Sequence, residues 1–128
     1  MSLHRLTAAI VIVFVSTTLD ARADNSVSVL QFGTANLSST TQTGTTTNGA
    51  ITLQFGSSNQ ASSVQSGSIS PLTVNTLVIG QGGSTNVAAA GQVGGSNTSL
   101  IGQIGASNSS AVSQLGLLNG STILQASP

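Results

Sequence analysis

From residue 25 onward the chain alternates between two kinds of position, and asparagine and glutamine bracket each short run of small or aliphatic residues. The asparagines are Asn25, Asn36, Asn48, Asn59, Asn75, Asn86, Asn97, Asn108 and Asn119. Each is followed six residues later by a glutamine: Gln31, Gln42, Gln54, Gln65, Gln81, Gln92, Gln103, Gln114 and Gln125. Gln60 alone falls outside this register. An even spacing puts both amides on one face of a β-strand. The two same-face positions between them are Val27/Val29, Ser38/Thr40, Ala50/Thr52, Ala61/Ser63, Leu77/Ile79, Ala88/Ala90, Ser99/Ile101, Ser110/Val112 and Ser121/Ile123. None is charged, so this face is expected to point inward. The pattern therefore predicts nine strands, near 25–31, 36–42, 48–54, 59–65, 75–81, 86–92, 97–103, 108–114 and 119–125.

Between strands, glycine recurs two residues after the glutamine, at Gly33, Gly44, Gly56, Gly67, Gly83, Gly94, Gly105 and Gly116. Glycine there fits a tight turn that needs positive φ. Six of the eight connections are four residues long. Thr43–Thr47 has one residue more, and Ser66–Val74 has nine and contains Pro71, a loop residue. Odd strands carry most of the large inward pairs, and even strands carry the small ones. Large facing small is what two opposed sheets need in order to interdigitate. The expected fold is all-β: a β-solenoid of two strands per turn, about four and a half turns in all, with odd and even strands forming two facing parallel in-register sheets. Asparagine and glutamine survive burial only with their amides paired. Stacking at about 4.8 Å offers each amide its own copy in the layers above and below, as two ladders.

The first 23 residues have another character. Met1–Arg5 is short and positive, and Leu6–Val15 is an apolar run of ten. Ten residues fall short of the roughly 20 that span a membrane, but suit a signal-peptide core. Ala21 and Ala23 supply the small residues a signal peptidase reads, so cleavage is expected between Ala23 and Asp24, leaving a mature chain of residues 24–128.

Composition narrows the function. The chain has no cysteine, and its charged residues are Arg5, Asp20, Arg22 and Asp24. Asp24 is thus the one charged side chain of the expected mature chain, which also has no histidine. No basic footprint for nucleic acid exists, no base is available to activate the many serines, and no catalytic, metal-ligating or cofactor-binding residue stands out. No small-molecule substrate is expected. The outward rows are too mixed for an ice-binding face, and the regular aspartate of calcium-binding repeats is missing. Surface charge normally keeps soluble molecules apart, and here that defence is nearly gone.

The unit Gln31-Phe-Gly33-Thr-Ala-Asn36-Leu-Ser38-Ser-Thr-Thr-Gln42 resembles the curlin repeat of bacterial curli fibre subunits. Gln81-Gly-Gly83-Ser-Thr-Asn86-Val-Ala88-Ala-Ala-Gly-Gln92 is more similar still. The likeness extends over nearly all of residues 24–128. It implies a secreted solenoid subunit that polymerises end to end into functional amyloid at the bacterial surface, for biofilm matrix and adhesion. It also implies partners: further copies of the chain, a second curlin-like subunit, and curli export and assembly proteins. Three features depart from the family: every odd strand begins with asparagine where serine is frequent, no targeting segment separates the expected cleavage site from Asn25, and charged residues are missing from the repeats. A minor, nucleating subunit of the same fibre and a monomeric surface adhesin are the alternative readings.

Overall fold

The computed structural model describes residues 14–15, 24–44, 47–67 and 74–128. Its strands are β1 (Phe14–Val15), β2 (Asn25–Thr34), β3 (Leu37–Thr43), β4 (Thr47–Ser57), β5 (Gln60–Gly67), β6 (Val74–Ser84), β7 (Val87–Gly95), β8 (Thr98–Ala106), β9 (Ser109–Leu117) and β10 (Gly120–Ala126). The expected leader lies outside the described residues apart from β1, and so do Ala23 and the Pro71 segment. The backbone carbonyl of Asp24 accepts a hydrogen bond from the Asn48 N–H.

Two parallel sheets face each other. Sheet I has the order β10-β8-β6-β4-β2, and sheet II the order β1-β3-β5-β7-β9. Odd repeat units thus build sheet I and even units build sheet II, so the nine strands β2–β10 make about four and a half turns. Pairing is in register: Asn25 lies beside Asn48 and Asn48 beside Asn75, while Gln31, Gln54, Gln81, Gln103 and Gln125 follow one another up sheet I. The long connection before β6 leaves this register unbroken, because β6 sits on β4 with Gln54 opposite Gln81. Along β4 the inward Asn48, Ala50, Thr52 and Gln54 are buried and their neighbours are not. The apolar core lies mid-stack, where Leu77, Ile79 and Ile101 of sheet I meet Ala61, Ala88 and Ala90 of sheet II. Every buried side chain among the described residues belongs to residues 31–114.

The strands run further than the sequence pattern suggests. The pattern ends them at the glutamine, but β2, β4 and β6 continue through the glycine to Thr34, Ser57 and Ser84. The corner residues of successive layers pair as well, with Gly33 beside Gly56 and Gly56 beside Gly83. The bend is therefore a corner within a continuous ladder and not a loop between ladders. Glycine is required there twice over. Gly33 has φ 117°, and a Cβ on it would lie 1.7 Å from the Gly56 carbonyl oxygen in the next layer. Gly44, Gly56, Gly83, Gly94, Gly105 and Gly116 share that conformation, with φ between 106° and 114°. Gly67 closes β5 and pairs with Gly94.

Each four-residue corner has a second positive-φ residue, immediately before the asparagine. Ala35, Ser58, Thr85, Ser96, Ser107 and Leu118 have φ between 49° and 61°. Such a conformation costs a non-glycine residue about 1–2 kcal/mol, so something must hold the corner closed.

Candidate functional site

The one chemical group that recurs in every layer is the side-chain amide. In sheet I the Gln31 amide nitrogen donates to the Gln54 oxygen. Gln54 donates to Gln81 at 2.7 Å, Gln81 to Gln103 at 2.8 Å, and Gln103 to Gln125 at 2.9 Å. In sheet II Gln42 donates to Gln65 at 2.7 Å, Gln65 to Gln92 at 2.8 Å and Gln92 to Gln114 at 2.8 Å. All of these N–H groups point toward the C-terminal end of the stack.

The asparagines form columns of the opposite sense. Asn48 donates to Asn25 at 2.9 Å, Asn75 to Asn48 at 3.0 Å, Asn97 to Asn75 at 3.1 Å and Asn119 to Asn97 at 2.9 Å. In sheet II Asn59 donates to Asn36 at 3.2 Å, Asn86 to Asn59 at 3.1 Å and Asn108 to Asn86 at 3.0 Å. Asn48, Asn59, Asn75, Asn86, Asn97, Gln54, Gln65, Gln92 and Gln103 are all fully buried. The columns thus satisfy polar groups that would otherwise be costly to bury.

Most of these amides do a second job that the spacing of the sequence did not reveal. The glutamine nitrogens reach across to the backbone of the facing sheet: Gln54 to the Leu37 carbonyl at 3.1 Å, Gln81 to Gln60 at 2.9 Å and Gln103 to Val87 at 3.0 Å. They tie the two sheets together where the core is thin. The asparagine nitrogens reach back to the carbonyl four residues earlier, Asn36 to Phe32 at 3.0 Å and Asn86 to Gly82 at 3.1 Å. That bond closes the corner over its positive-φ residue. After the longer Thr43–Thr47 connection, Asn48 reaches the Thr43 carbonyl instead, at 3.4 Å. The constant four-residue spacing was the available signal for this clamp.

Three column-end atoms are buried and unpartnered: Asn25 Nδ2, Gln31 Oε1 and Gln42 Oε1. All lie on β2 and β3, at the N-terminal end of the stack. The Ser38 hydroxyl on β3 and the Ser99 hydroxyl on β8 are also unpartnered. At the other end Gln114 and Gln125 close the glutamine columns as acceptors, leaving their nitrogens as the terminal donors in the same sense. Asn108 and Asn119 likewise close the asparagine columns as donors, with their oxygens terminal. One end offers glutamine oxygens and an asparagine nitrogen. The other offers the complementary atoms.

The outer face of sheet I is apolar and uneven. Phe32 and Phe55 stack with ring centroids 5.2 Å apart. Gly80, Gly82 and Gly102 then leave a groove of about 540 Å³ between Leu53 and Phe55 on one side and Ile104 and Leu124 on the other. Among the described residues no cluster of three or more His, Cys, Asp or Glu side chains could hold a metal ion.

Together the parallel stack and its amide columns define a two-sheeted β-solenoid. Residues 75–105, spanning β6, β7 and most of β8, match the family model described as curlin associated repeat. That stretch of the solenoid is thus similar to the curlin repeat, and the architecture is consistent with that family. No curated protein and no solved structure matches the chain. The match to the curlin associated repeat is consistent with a structural protein.

Proposed function

We propose that this chain is a secreted structural subunit that polymerises end to end into extracellular curli-type amyloid fibres serving biofilm matrix, adhesion and aggregation. The observation that carries this reading is the set of buried, unpartnered atoms Asn25 Nδ2, Gln31 Oε1 and Gln42 Oε1 at one end. The opposite end of a second copy presents the matching donors and acceptors. A head-to-tail contact of this kind does not close on itself, so it propagates as a filament. Near-absence of charge in residues 24–128 removes the repulsion that would oppose it. The asparagine and glutamine columns are the residues that carry assembly, and the corner glycines permit each layer to lie on the next. Export by the leader, with cleavage between Ala23 and Asp24, completes the reading, and curli export and assembly proteins are its expected partners.

The test is thioflavin-T kinetics on purified residues 24–128, followed by fibre diffraction. The expected result is seeded growth with a meridional reflection near about 4.7–4.8 Å. A chain that stays a soluble monomer and never gives that reflection sinks the fibre reading and leaves the monomeric adhesin.

A further inference from the structure

The nine-strand array from Asn25 to Ala126 has an odd number of strands, and this decides how two copies fit. Its first strand, β2, and its last, β10, both belong to sheet I. At each end sheet I therefore projects one strand beyond the repeat strands of sheet II. If a second copy is added by translation alone, β2 lands on β10. Gln31 Oε1 then meets the Gln125 nitrogen, and Asn25 Nδ2 meets the Asn119 oxygen. The next strand, β3, finds nothing beneath it, because sheet II ended at β9. The join has a gap one strand wide, and Gln42 Oε1 stays buried without a donor.

Turning the second copy by half a revolution about the stack axis removes the gap. Its β2 then lies on β9 of the first copy, and its β3 lies on β10. The two steps interlock. Gln31 Oε1 receives the Gln114 nitrogen, Gln42 Oε1 receives the Gln125 nitrogen, and Asn25 Nδ2 reaches the Asn108 oxygen. All three buried, unpartnered column-end atoms gain partners, where translation supplies only two. Both glutamine columns continue in one sense through the joint, and so do both asparagine columns.

We propose that successive copies of this chain join by a half-turn, so that sheet I of one copy continues as sheet II of the next and the fibre has a two-fold screw axis. The inference rests on the end-to-end reading above and specifies its interface. The β1 segment pairs with β3 along the very edge that β10 of the neighbouring copy would take. The experiment therefore uses residues 24–128, which contain every strand but β1 and every buried side chain among the described residues.

The chain has no cysteine, so engineered pairs report cleanly. Strands stacked at about 4.8 Å bring in-register Cα atoms within the span a disulfide accepts. In the half-turn joint Ser28 lies beside Ala111 of the neighbouring copy, and in the translational joint it lies beside Thr122. All three are exposed. Fibres of the Ser28→Cys/Ala111→Cys variant, oxidised and run under non-reducing denaturing conditions, should give a ladder of covalent multimers. The Ser28→Cys/Thr122→Cys variant should stay monomeric. The subunit rise should be about 22 Å, for four and a half layers, and not the roughly 24 Å of five. Fibres that cross-link through the second pair, or through neither, overturn the half-turn joint and leave the fibre reading standing. If neither the unaltered chain nor the variants form fibres, the fibre reading fails and this joint fails with it.

Discussion

Gln103 accepts from Gln81, donates to Gln125, and reaches the Val87 carbonyl of the facing sheet and the Ser110 hydroxyl. Gln103→Ala strands several of these groups in a buried site at once, and each orphaned buried group costs about 1–3 kcal/mol. The variant should lose about 2–3 kcal/mol in chemical denaturation and assemble more slowly. Gln60 points outward and is exposed, so Gln60→Ala should change stability by less than about 0.5 kcal/mol. Equal effects would mean that the amide columns do not govern stability. A second residue-scale contrast concerns glycine. A Cβ on Gly83, at φ 110°, would lie 2.1 Å from the Gly105 carbonyl oxygen, whereas one on Gly80 meets nothing within 4 Å. Gly83→Ala should cost at least about 3 kcal/mol, from backbone strain and separation of layers, while Gly80→Ala stays within about 0.5 kcal/mol. Circular dichroism melts of the two variants make the comparison.

For the strands, legibility in the sequence varied with the physics. The buried face was readable because side-chain direction in a strand has a period of two, and even spacing admits no other face. The division of odd and even strands between sheets followed from the size of the inward pairs, as Leu77/Ile79 against Ala88/Ala90 illustrates. The corners were only half readable. Their glycines stood out, but Ala35, Ser58, Thr85, Ser96, Ser107 and Leu118 share no side-chain chemistry that announces positive φ. The following asparagine enforces that conformation from outside, by its bond to the carbonyl four residues back. The sense of the amide columns was also hidden. Both orientations of an amide satisfy a spacing rule, and the glutamine sense depends on a facing carbonyl that appears only once the sheets meet. The size division leads to a third prediction. Ala88→Leu should overfill the core against Leu77 and Ile79 and cost about 1–3 kcal/mol. Combining it with Leu77→Ala should recover part of that loss, measured as a coupling in a double-mutant cycle. Strict additivity would place the two residues in separate environments.

For the molecule as a whole, one charged side chain in residues 24–128 makes electrostatic tuning weak. The half-time of assembly should be unchanged between low salt and about 0.15 M, the range over which screening of surface charges is greatest. It should be flat from about pH 5 to pH 7 as well, since Glu and His are missing from residues 24–128 and the terminal amine titrates above that window, at about 7.7–8.0. A strong dependence on either variable, followed by light scattering, would assign assembly to ionic contacts that this chain scarcely has. Growth should respond instead to loss of a column member such as Gln103.

The opposed senses of the amide columns bear on how the polymer behaves in an electric field. In an α-helix the peptide dipoles add head to tail and the ends acquire partial charges. Here the glutamine N–H groups point toward one end of the stack and the asparagine N–H groups toward the other. Their axial moments oppose each other within every layer, and the sheet backbone contributes little of its own. Lengthening the stack therefore accumulates almost no axial dipole from these groups. The two tips differ in shape and in the donors and acceptors they present, yet the amide columns themselves give a long polymer almost no electrical polarity along its axis.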